Sequence, residues 1–195
     1  MLRNEHVQAT SGSLEIEPAL VTLGSPAHAA AGGSGAALVG AVAAAVVAKA
    51  ARVSLRPGSA AQAVSLQARL LRFAEADAEV LAEARAALAR RETGGAGPQR
   101  DFQLGTVLRR ALAVPCAIGE ACADVAQLAA DERESVAADH RPDLAAAAAL
   151  AAGAARAAAH LVAVNLVATP DDADVIAARG FAMRAADVAG LFGEI

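Results

Sequence analysis

Aromatic residues are almost absent from this chain of 195 residues, which has no Trp, no Tyr and only 4 Phe. Few aromatic side chains are therefore available to stack nucleic-acid bases. Lysine is equally scarce, because Lys49 is the only lysine among 17 basic residues, and the net charge is −4. A protein that binds nucleic acid usually carries a basic surplus. The sequence thus predicts no nucleic-acid partner.

Patterns that would hold a metal or a nucleophile are also missing. Cys116 and Cys122 are six residues apart without a C-x-x-C partner, which favours buried thiols over a disulfide framework or a zinc site. The 4 histidines form no H-E-x-x-H pair, and no G-x-S-x-G motif occurs. We therefore expect no metal and no serine nucleophile. Residues 1–14 lack the apolar run of a signal peptide, so a cytoplasmic location is predicted.

Alanine dominates what is present, with 59 residues in a chain that is 56% hydrophobic. Ala is the best helix former and a poor strand former. Breaks at Gly and Pro clusters divide the helical pattern and predict about five long helices, at 33–55, 60–91, 102–131, 142–167 and 170–190. Pro115 is expected to kink or divide the third of these helices. Residues 1–24 look irregular, with a short extended piece around residues 14–16.

Short connections between these helices predict a single all-α domain over residues 1–195, an up-and-down bundle of Ala-rich helices. Residues 29–48 carry no charge and are about as long as a membrane span, but their Ala and Gly residues insert poorly. A buried helix without a membrane partner is therefore expected. Because small side chains fill a core poorly, we expect a homodimer that buries long Ala-rich faces against a second copy.

A carboxylate interrupts the apolar stripe of the second predicted helix. Steps of three and four residues join Asp77 to six apolar positions: Leu66, Leu70, Phe73, Leu81, Ala84 and Leu88. An ionised carboxylate among apolar neighbours is costly unless it is paired or hydrated. Two interpretations remain open, a proton-transferring group that lines a pocket and the buried partner of an arginine on another helix.

Polar residues also begin and end a stripe on the fourth predicted helix, where Asp143 stands at one end and Asn165 at the other. Asp143 falls in the first helical turn, where a negative charge also favours the helix dipole. Asn165 could equally serve as a hydrogen-bonding group in helix packing. Spacing alone leaves a functional and a structural role open for both.

A glycine-rich segment precedes the first long helix, with Gly32, Gly33, Ser34 and Gly35 in sequence. Glycines let backbone N–H groups approach a ligand at a helix start. The alternative is a tight turn in which Ser34 caps the helix. No Gly-Lys-Ser/Thr follows, which excludes a P-loop.

Together these motifs resemble the cyclodeaminase/cyclohydrolase family, represented by the C-terminal domain of formiminotransferase-cyclodeaminase and by bacterial methenyltetrahydrofolate cyclohydrolases. The family's Gly-rich signature is similar to residues 30–34, and its Asp-Glu-Asp-Ala motif to residues 75–78. Its helical proline is similar to Pro115, and its Ser-Asp-Ala helix ending in Asn-Leu to the segment from 142 to 166.

The resemblance implies an all-helical, dimeric folate enzyme of one-carbon metabolism, with a tetrahydrofolate derivative as its small-molecule substrate. It implies catalytic roles for Asp77 and Asp143, through proton transfer. It also implies substrate binding by Gly32, Gly33, Ser34 and Asn165, and arginines that meet the glutamate tail of folate.

The chain departs from the family pattern at several positions. Ala31 replaces the first signature glycine, Ala30 replaces the leading proline, and the family's lysine and tyrosine after the first helix are absent. These departures keep two alternatives open. One is a repurposed member of the scaffold that acts on another small cyclic substrate, and the other is a non-catalytic helical interaction protein.

Overall fold

The regular structure of this protein is helical in every part that the structure describes. The computed structural model describes residues 16–27, 32–94, 97–165 and 169–193. Its helices are α1 (Glu17–Gly24), α2 (Gly32–Val53), α3 (Pro57–Gly94), α4 (Pro98–Glu132), α5 (Arg141–Ala163) and α6 (Ala173–Gly190), with a 3-10 turn at Ala138–His140. These ranges contain no strand, which confirms the all-α prediction. Among the positions used above, Ala30, Ala31, residues 14–15 of the predicted extended piece and residue 166 lie outside the described residues.

Several predicted helix boundaries need correction, and among them α5 ends at Ala163 rather than at residue 167 and α6 begins at Ala173 rather than at residue 170. The described ranges hold six helices rather than about five, because residues 17–24, expected to be irregular, form α1. Pro57 begins α3 instead of ending the helical region before it, since the first helical position needs no backbone N–H. Pro115 does not divide its helix, because it lies inside one continuous α4, and the predicted kink stays a prediction. Leu112 and Ile118 are both buried on either side of it, and this packing outweighs the lost backbone hydrogen bond.

Side-chain pairs between helices define an up-and-down arrangement. The Arg69–Glu120 and Arg110–Glu83 ion pairs show that α3 and α4 run in opposite directions. The contact of Lys49 with Asp143 at one end, and the approach of Gly32 to Leu161 at the other, make α2 and α5 antiparallel. The last helix, α6, packs against α4 and α5. The bundle predicted from the short connections is therefore present.

The core consists of small residues that allow the helix backbones to approach closely. Alanines of α2 and α5 are fully buried along most of their length, and Leu70, Ile118 and Leu144 supply much of the remaining volume. At Gly40, a Cβ atom would lie 2.6 Å from the Cys122 sulfur and 3.2 Å from a Leu70 methyl. Alpha2 therefore meets α3 and α4 closely at Gly40, where a larger residue would have to displace the Cys122 side chain.

Three helical stretches are long and apolar enough to cross a membrane, judged by length and composition within the described residues alone. They are Gly32–Val53, Asp101–Glu132 and Ala138–Ala163, and between 44% and 61% of each apolar window is buried inside the bundle. The predicted burial of the uncharged segment at residues 29–48 is observed for its described part, which lies in α2 and packs on α3 and α5.

A buried carboxylate joins three chain segments at one end of the bundle. Glu132, at the end of α4, is 4% exposed and accepts hydrogen bonds from Arg56 Nε at 3.0 Å and from the Ser59 hydroxyl. Burial acts to raise the pKa of Glu132, but the hydrogen bonds from Arg56 and Ser59, together with the Arg56 charge, outweigh it. The pKa of this carboxyl therefore lies below its ordinary value of 4.5.

We expect Glu132→Gln to lower the Tm at pH 7 by about 3–6 °C, because hydrogen bonds to an ionised group are lost. Since the folded-state pKa is lowered, this stabilisation is present above pH 4.5 and disappears as the pH falls through the folded-state value. The Tm difference between wild type and variant should shrink in that range when both are melted from pH 7 to pH 3.

Glu134→Gln is the matched control, because Glu134 is an exposed carboxylate two residues further along. Its Tm should stay within roughly 2 °C of wild type at every pH, as for most surface changes. A Glu132→Gln protein that melts like this control would contradict the stabilising role of the pair.

Candidate functional site

A cavity opens at the end of the bundle where α2 begins. Because α3 and α4 have 38 and 35 residues while α2 has 22, α3 and α4 continue beyond the first residue of α2. Nothing from α2 covers their extension. The resulting cavity is about 260 Å³ in volume, and its lining residues are Gly32, Gly33, Asp77, Leu81, Ala84, Arg85, Leu88, Leu108, Ala111, Pro115, Leu161, Val164 and Asn165.

Apolar side chains form most of this lining, and the charged or amide side chains in it are Asp77, Arg85 and Asn165. Ligand pockets have this composition, with a few polar groups that fix the orientation of a mainly apolar ligand. The volume lies slightly below the usual range of about 300–1,000 Å³. The cavity thus has room for one end of an extended ligand, with the remainder at its mouth.

Asp77 lies on the inner face of α3, as the apolar stripe predicts, and only 3% of its surface is exposed. Its Oδ2 atom accepts a hydrogen bond of 2.8 Å from the backbone N–H of Ser34. Ser34 is the third residue of α2, so this N–H has no acceptor within its own helix. A carboxylate from a neighbouring helix therefore satisfies the N-terminus of α2, where the helix dipole also favours negative charge.

The Ser34 hydroxyl strengthens the same contact between the two helices. It donates a hydrogen bond of 2.8 Å to the backbone carbonyl of Ala74 and lies 3.2 Å from Asp77 Oδ2. The proposed helix cap at Ser34 is therefore wrong, because the residue lies inside α2 and binds α3. Asp77 thus has an observed partner at the start of α2, and the alternative of an arginine partner stays open.

Gly33 makes this arrangement possible. A Cβ atom at this position would overlap the carboxylate group of Asp77. At Gly32 a Cβ atom would lie 3.2 Å from a Leu161 methyl, which is tighter than an ordinary contact. Gly33 is thus required by the close approach of α3 to the start of α2, and Gly32 lies in tight contact with α5; both also line the cavity.

The other predicted site residues divide between the two ends of the bundle. Asn165 lines the cavity just after α5 ends at Ala163. Asp143 lies at the opposite end of α5, about 30 Å away at 1.5 Å per residue. Its carboxylate is 3.7 Å from Lys49 Nζ and 3.8 Å from His140 Nδ1. The structure thus brings Asn165, but not Asp143, to Asp77, and a catalytic role for Asp143 stays a prediction.

Sequence reasoning missed Arg85 as a lining residue. The signal was available, since Arg85 follows Asp77 by eight residues, and residues spaced by four lie on one side of a helix. It was hidden among the many charged residues of α3, most of which face solvent.

Neither cysteine lines the cavity. Cys122 is fully buried beside Gly40, and burial raises the pKa of its thiol to about 12. The predicted buried thiol is confirmed at this position, whereas Cys116 is only partly buried. Within the described ranges no group of three His, Cys, Asp or Glu side chains is arranged to hold a metal ion.

We expect Gly33→Ala to destabilise the fold by about 1–3 kcal/mol, because the new methyl must displace the Asp77 carboxylate or the helix. Gly35→Ala is the matched control in the same helix turn, since a Cβ there meets nothing within 4 Å. It should be neutral or stabilise by up to about 1 kcal/mol. Urea unfolding of both variants measures the contrast, and equal stabilities would contradict the close contact at Gly33.

Comparison with solved structures supports the fold described above. The structure is similar to that of formiminotetrahydrofolate cyclodeaminase from Thermotoga maritima, with a TM-score of 0.76 and 16% sequence identity. The match covers 92% of this chain and 95% of that chain. No curated protein sequence matches the chain significantly.

The sequence pattern of the formiminotransferase-cyclodeaminase family matches residues 15–180. This range includes the glycines at the start of α2, Asp77 on α3, and Asn165 after α5. The resemblance seen in the motifs is confirmed, and this chain is a member of the formiminotransferase-cyclodeaminase family.

Proposed function

We propose that the cavity beside Asp77 binds a tetrahydrofolate derivative and catalyses a one-carbon cyclisation, as a formimidoyltetrahydrofolate cyclodeaminase or a methenyltetrahydrofolate cyclohydrolase. The observation that carries the proposal is the buried Asp77 carboxylate, fixed at the start of α2 in an otherwise apolar cavity. Family membership gives the class of chemistry.

Both reactions pass through a tetrahedral carbon between the folate nitrogens N5 and N10. In the cyclodeaminase direction, N10 attacks the protonated formimino carbon on N5 and forms the C–N10 bond. The proton on N10 must then move to the amino group, which leaves as ammonia and yields the methenyl cation. In the cyclohydrolase direction water attacks the methenyl carbon, the C–N5 bond breaks, and one proton is released with the formyl product.

A single carboxylate can perform the proton transfer that both directions need. In our proposal Asp77 takes the proton from N10 or from water and returns it to the departing nitrogen. Its negative charge also stabilises the cationic amidine carbon. The attraction between the two charges is stronger in the low-dielectric surroundings of the cavity. The hydrogen bond from Ser34 keeps the carboxylate in one position, so Ser34 acts through Asp77 and the earlier assignment of direct substrate binding is revised.

The remaining lining suits a flat heterocycle. Leu81, Pro115 and Leu161 offer apolar surfaces where other sites use aromatic residues. We propose that the Asn165 amide hydrogen-bonds a ring edge and that Gly32 and Gly33 allow the ring to approach the helix backbone. The second candidate function is that of a repurposed enzyme, which has the same scaffold but acts on a substrate other than a folate. The missing tyrosine and the altered glycine motif favour it.

We expect Asp77→Asn to reduce turnover by about 10²-fold or more, the usual scale for a lost acid–base group. The Ser34 backbone N–H that binds Asp77 can also bind an Asn carbonyl, so the loss of stability should be near 1 kcal/mol. Ammonia release from formimino-tetrahydrofolate measures the cyclodeaminase reaction. The absorbance of methenyl-tetrahydrofolate rises in that reaction and falls in the cyclohydrolase reaction, so it measures both.

Asp124→Asn is the matched control, because Asp124 pairs with Arg184 on the outside of the bundle. It should retain wild-type turnover. Full activity in a folded Asp77→Asn protein would contradict the catalytic assignment. A wild-type protein that turns over neither folate would contradict the proposed function and favour the repurposed enzyme or a non-catalytic protein.

We also propose a homodimer that forms through the outer face of α2. Large apolar side chains are exposed there, at Val39 and Val42, and on the flanking helices at Val64, Leu71 and Leu150. Helix α2 carries no charged residue before Lys49, so this face offers apolar surface without repulsion to a second copy.

Val42→Arg should therefore convert the dimer into a monomer in sedimentation equilibrium, because it places two unpaired charges in the apolar interface. Ile176→Arg on α6 is the matched control at a similarly exposed apolar position and should leave the dimer intact. A monomeric wild-type protein, or a dimer that survives Val42→Arg, would contradict this interface.

A further inference from the structure

One helix in the wall of the cavity lacks a backbone donor where it borders the cavity. Pro115 lies inside α4 and is one of the lining residues. A proline has no backbone N–H, so the carbonyl group four residues earlier in the helix loses its usual donor. That carbonyl group belongs to Ala111, which also lines the cavity. The cavity wall therefore contains a hydrogen-bond acceptor that its own helix does not use.

The Ala111 carbonyl needs a partner from the cavity itself. Ala111 and Pro115 are both buried, so water reaches this part of α4 only through the cavity. Among the residues that the structure describes, no side chain donates a hydrogen bond to the carbonyl of Ala111. Buried backbone carbonyl groups in proteins nearly always have a hydrogen-bond partner. A ligand N–H group that takes the place of water at this position would therefore be bound at a defined point of the wall.

Asp77 and Pro115 lie at about the same level of the bundle. Each is near the middle of the stretch between the two ion pairs that join α3 to α4, which are Arg69–Glu120 and Arg110–Glu83. The axes of neighbouring helices in a bundle are about 8–10 Å apart. A flat ring that enters between these walls can thus meet the carboxylate on α3 with one edge and the carbonyl on α4 with another edge.

We propose that the backbone carbonyl of Ala111 binds an exocyclic amino group of the substrate's heterocycle, and that Pro115 is the positioning residue that keeps this carbonyl available. The inference rests on the proposed function, in which the one-carbon end of the substrate lies at Asp77. An amino group has two N–H bonds and projects beyond the ring, so it can reach an acceptor in a helix backbone. Pterins belong to this ligand class, because their amino group lies at the end of the ring system remote from N10.

Replacing the proline returns the missing donor and tests the proposal in the reaction. In Pro115→Ala and Pro115→Val the new backbone N–H can bind the Ala111 carbonyl, and Val also keeps an apolar side chain of similar size. Both variants should raise KM by about 5–10-fold, the range for a lost hydrogen bond, while kcat changes by less than about twofold. Their urea midpoints should equal or exceed that of wild type, because a helical hydrogen bond is regained.

Pro98→Ala is the matched control, because Pro98 is exposed at the start of α4, where no helical carbonyl precedes it. It should retain the wild-type KM. If Pro115 served the fold alone, its two variants would show lower urea midpoints and an unchanged KM, and that result would overturn the proposal.

Direct binding separates the hydrogen bond from a change in the shape of the cavity. The probes are 5-formyl-tetrahydrofolate and an analogue in which a methyl group replaces the ring amino group, both titrated by calorimetry. Wild type and Pro98→Ala should bind the amino compound at least about fivefold more tightly than the analogue. Pro115→Val should bind the two compounds within about twofold of each other, because its carbonyl acceptor is already occupied.

The outcomes distinguish this inference from the proposed function. A Pro115→Val protein that still prefers the amino compound by the wild-type factor would overturn the inference, since the variant would then act through shape alone. Equal binding of the amino compound to wild type and both Pro115 variants would overturn it and leave the folate function intact. A wild type that binds neither compound would overturn both. A preference that Pro115→Val abolishes would support the inference even in a protein that turns over no folate.

Discussion

The contact between the Asp77 carboxylate and the first turn of α2 is the constraint on which the rest of the site depends. It satisfies a backbone N–H that the helix itself cannot satisfy, and it fixes the end of α2 against the middle of α3. It also requires glycine at position 33, since any side chain there would occupy the space of the carboxylate. One hydrogen bond thus links the glycine motif, the stripe on α3 and the position of the cavity.

A cavity lies beside this contact because α3 and α4 are longer than α2. Alpha3 and α4 extend past the start of α2, and α5 ends at Ala163 near the same level, so an apolar space remains beside the carboxylate. The opposite end of the bundle is closed by Glu132, which binds Arg56 and Ser59. The two buried carboxylates therefore have different surroundings. Glu132 binds a cation and a hydroxyl at the closed end of the bundle, whereas Asp77 lies beside a cavity.

Much of this arrangement could be predicted from sequence, and the rest depends on contacts between distant segments. The stripe through Leu70 and Leu81 places Asp77 inside the bundle, because helical periodicity is a local property. Ser34 was misassigned because a cap and an interhelical bond require the same residue type. Glu132 was overlooked because it begins a polar stretch, and its partners lie more than 70 positions earlier. Asp143 and Asn165 share a stripe, yet the length of α5 separates them.

The central claim is that a folate binds with its one-carbon end at Asp77. A crystal structure of the wild-type protein with 5-formyl-tetrahydrofolate, a stable relative of the reacting species, tests this most directly. We predict that N10 donates a hydrogen bond to the Asp77 carboxylate and that the formyl carbon lies beside it, with the pterin ring between Leu81 and Leu161. A ligand bound at the Asp143 end of the bundle, or with its pterin ring outside the cavity, would contradict the account.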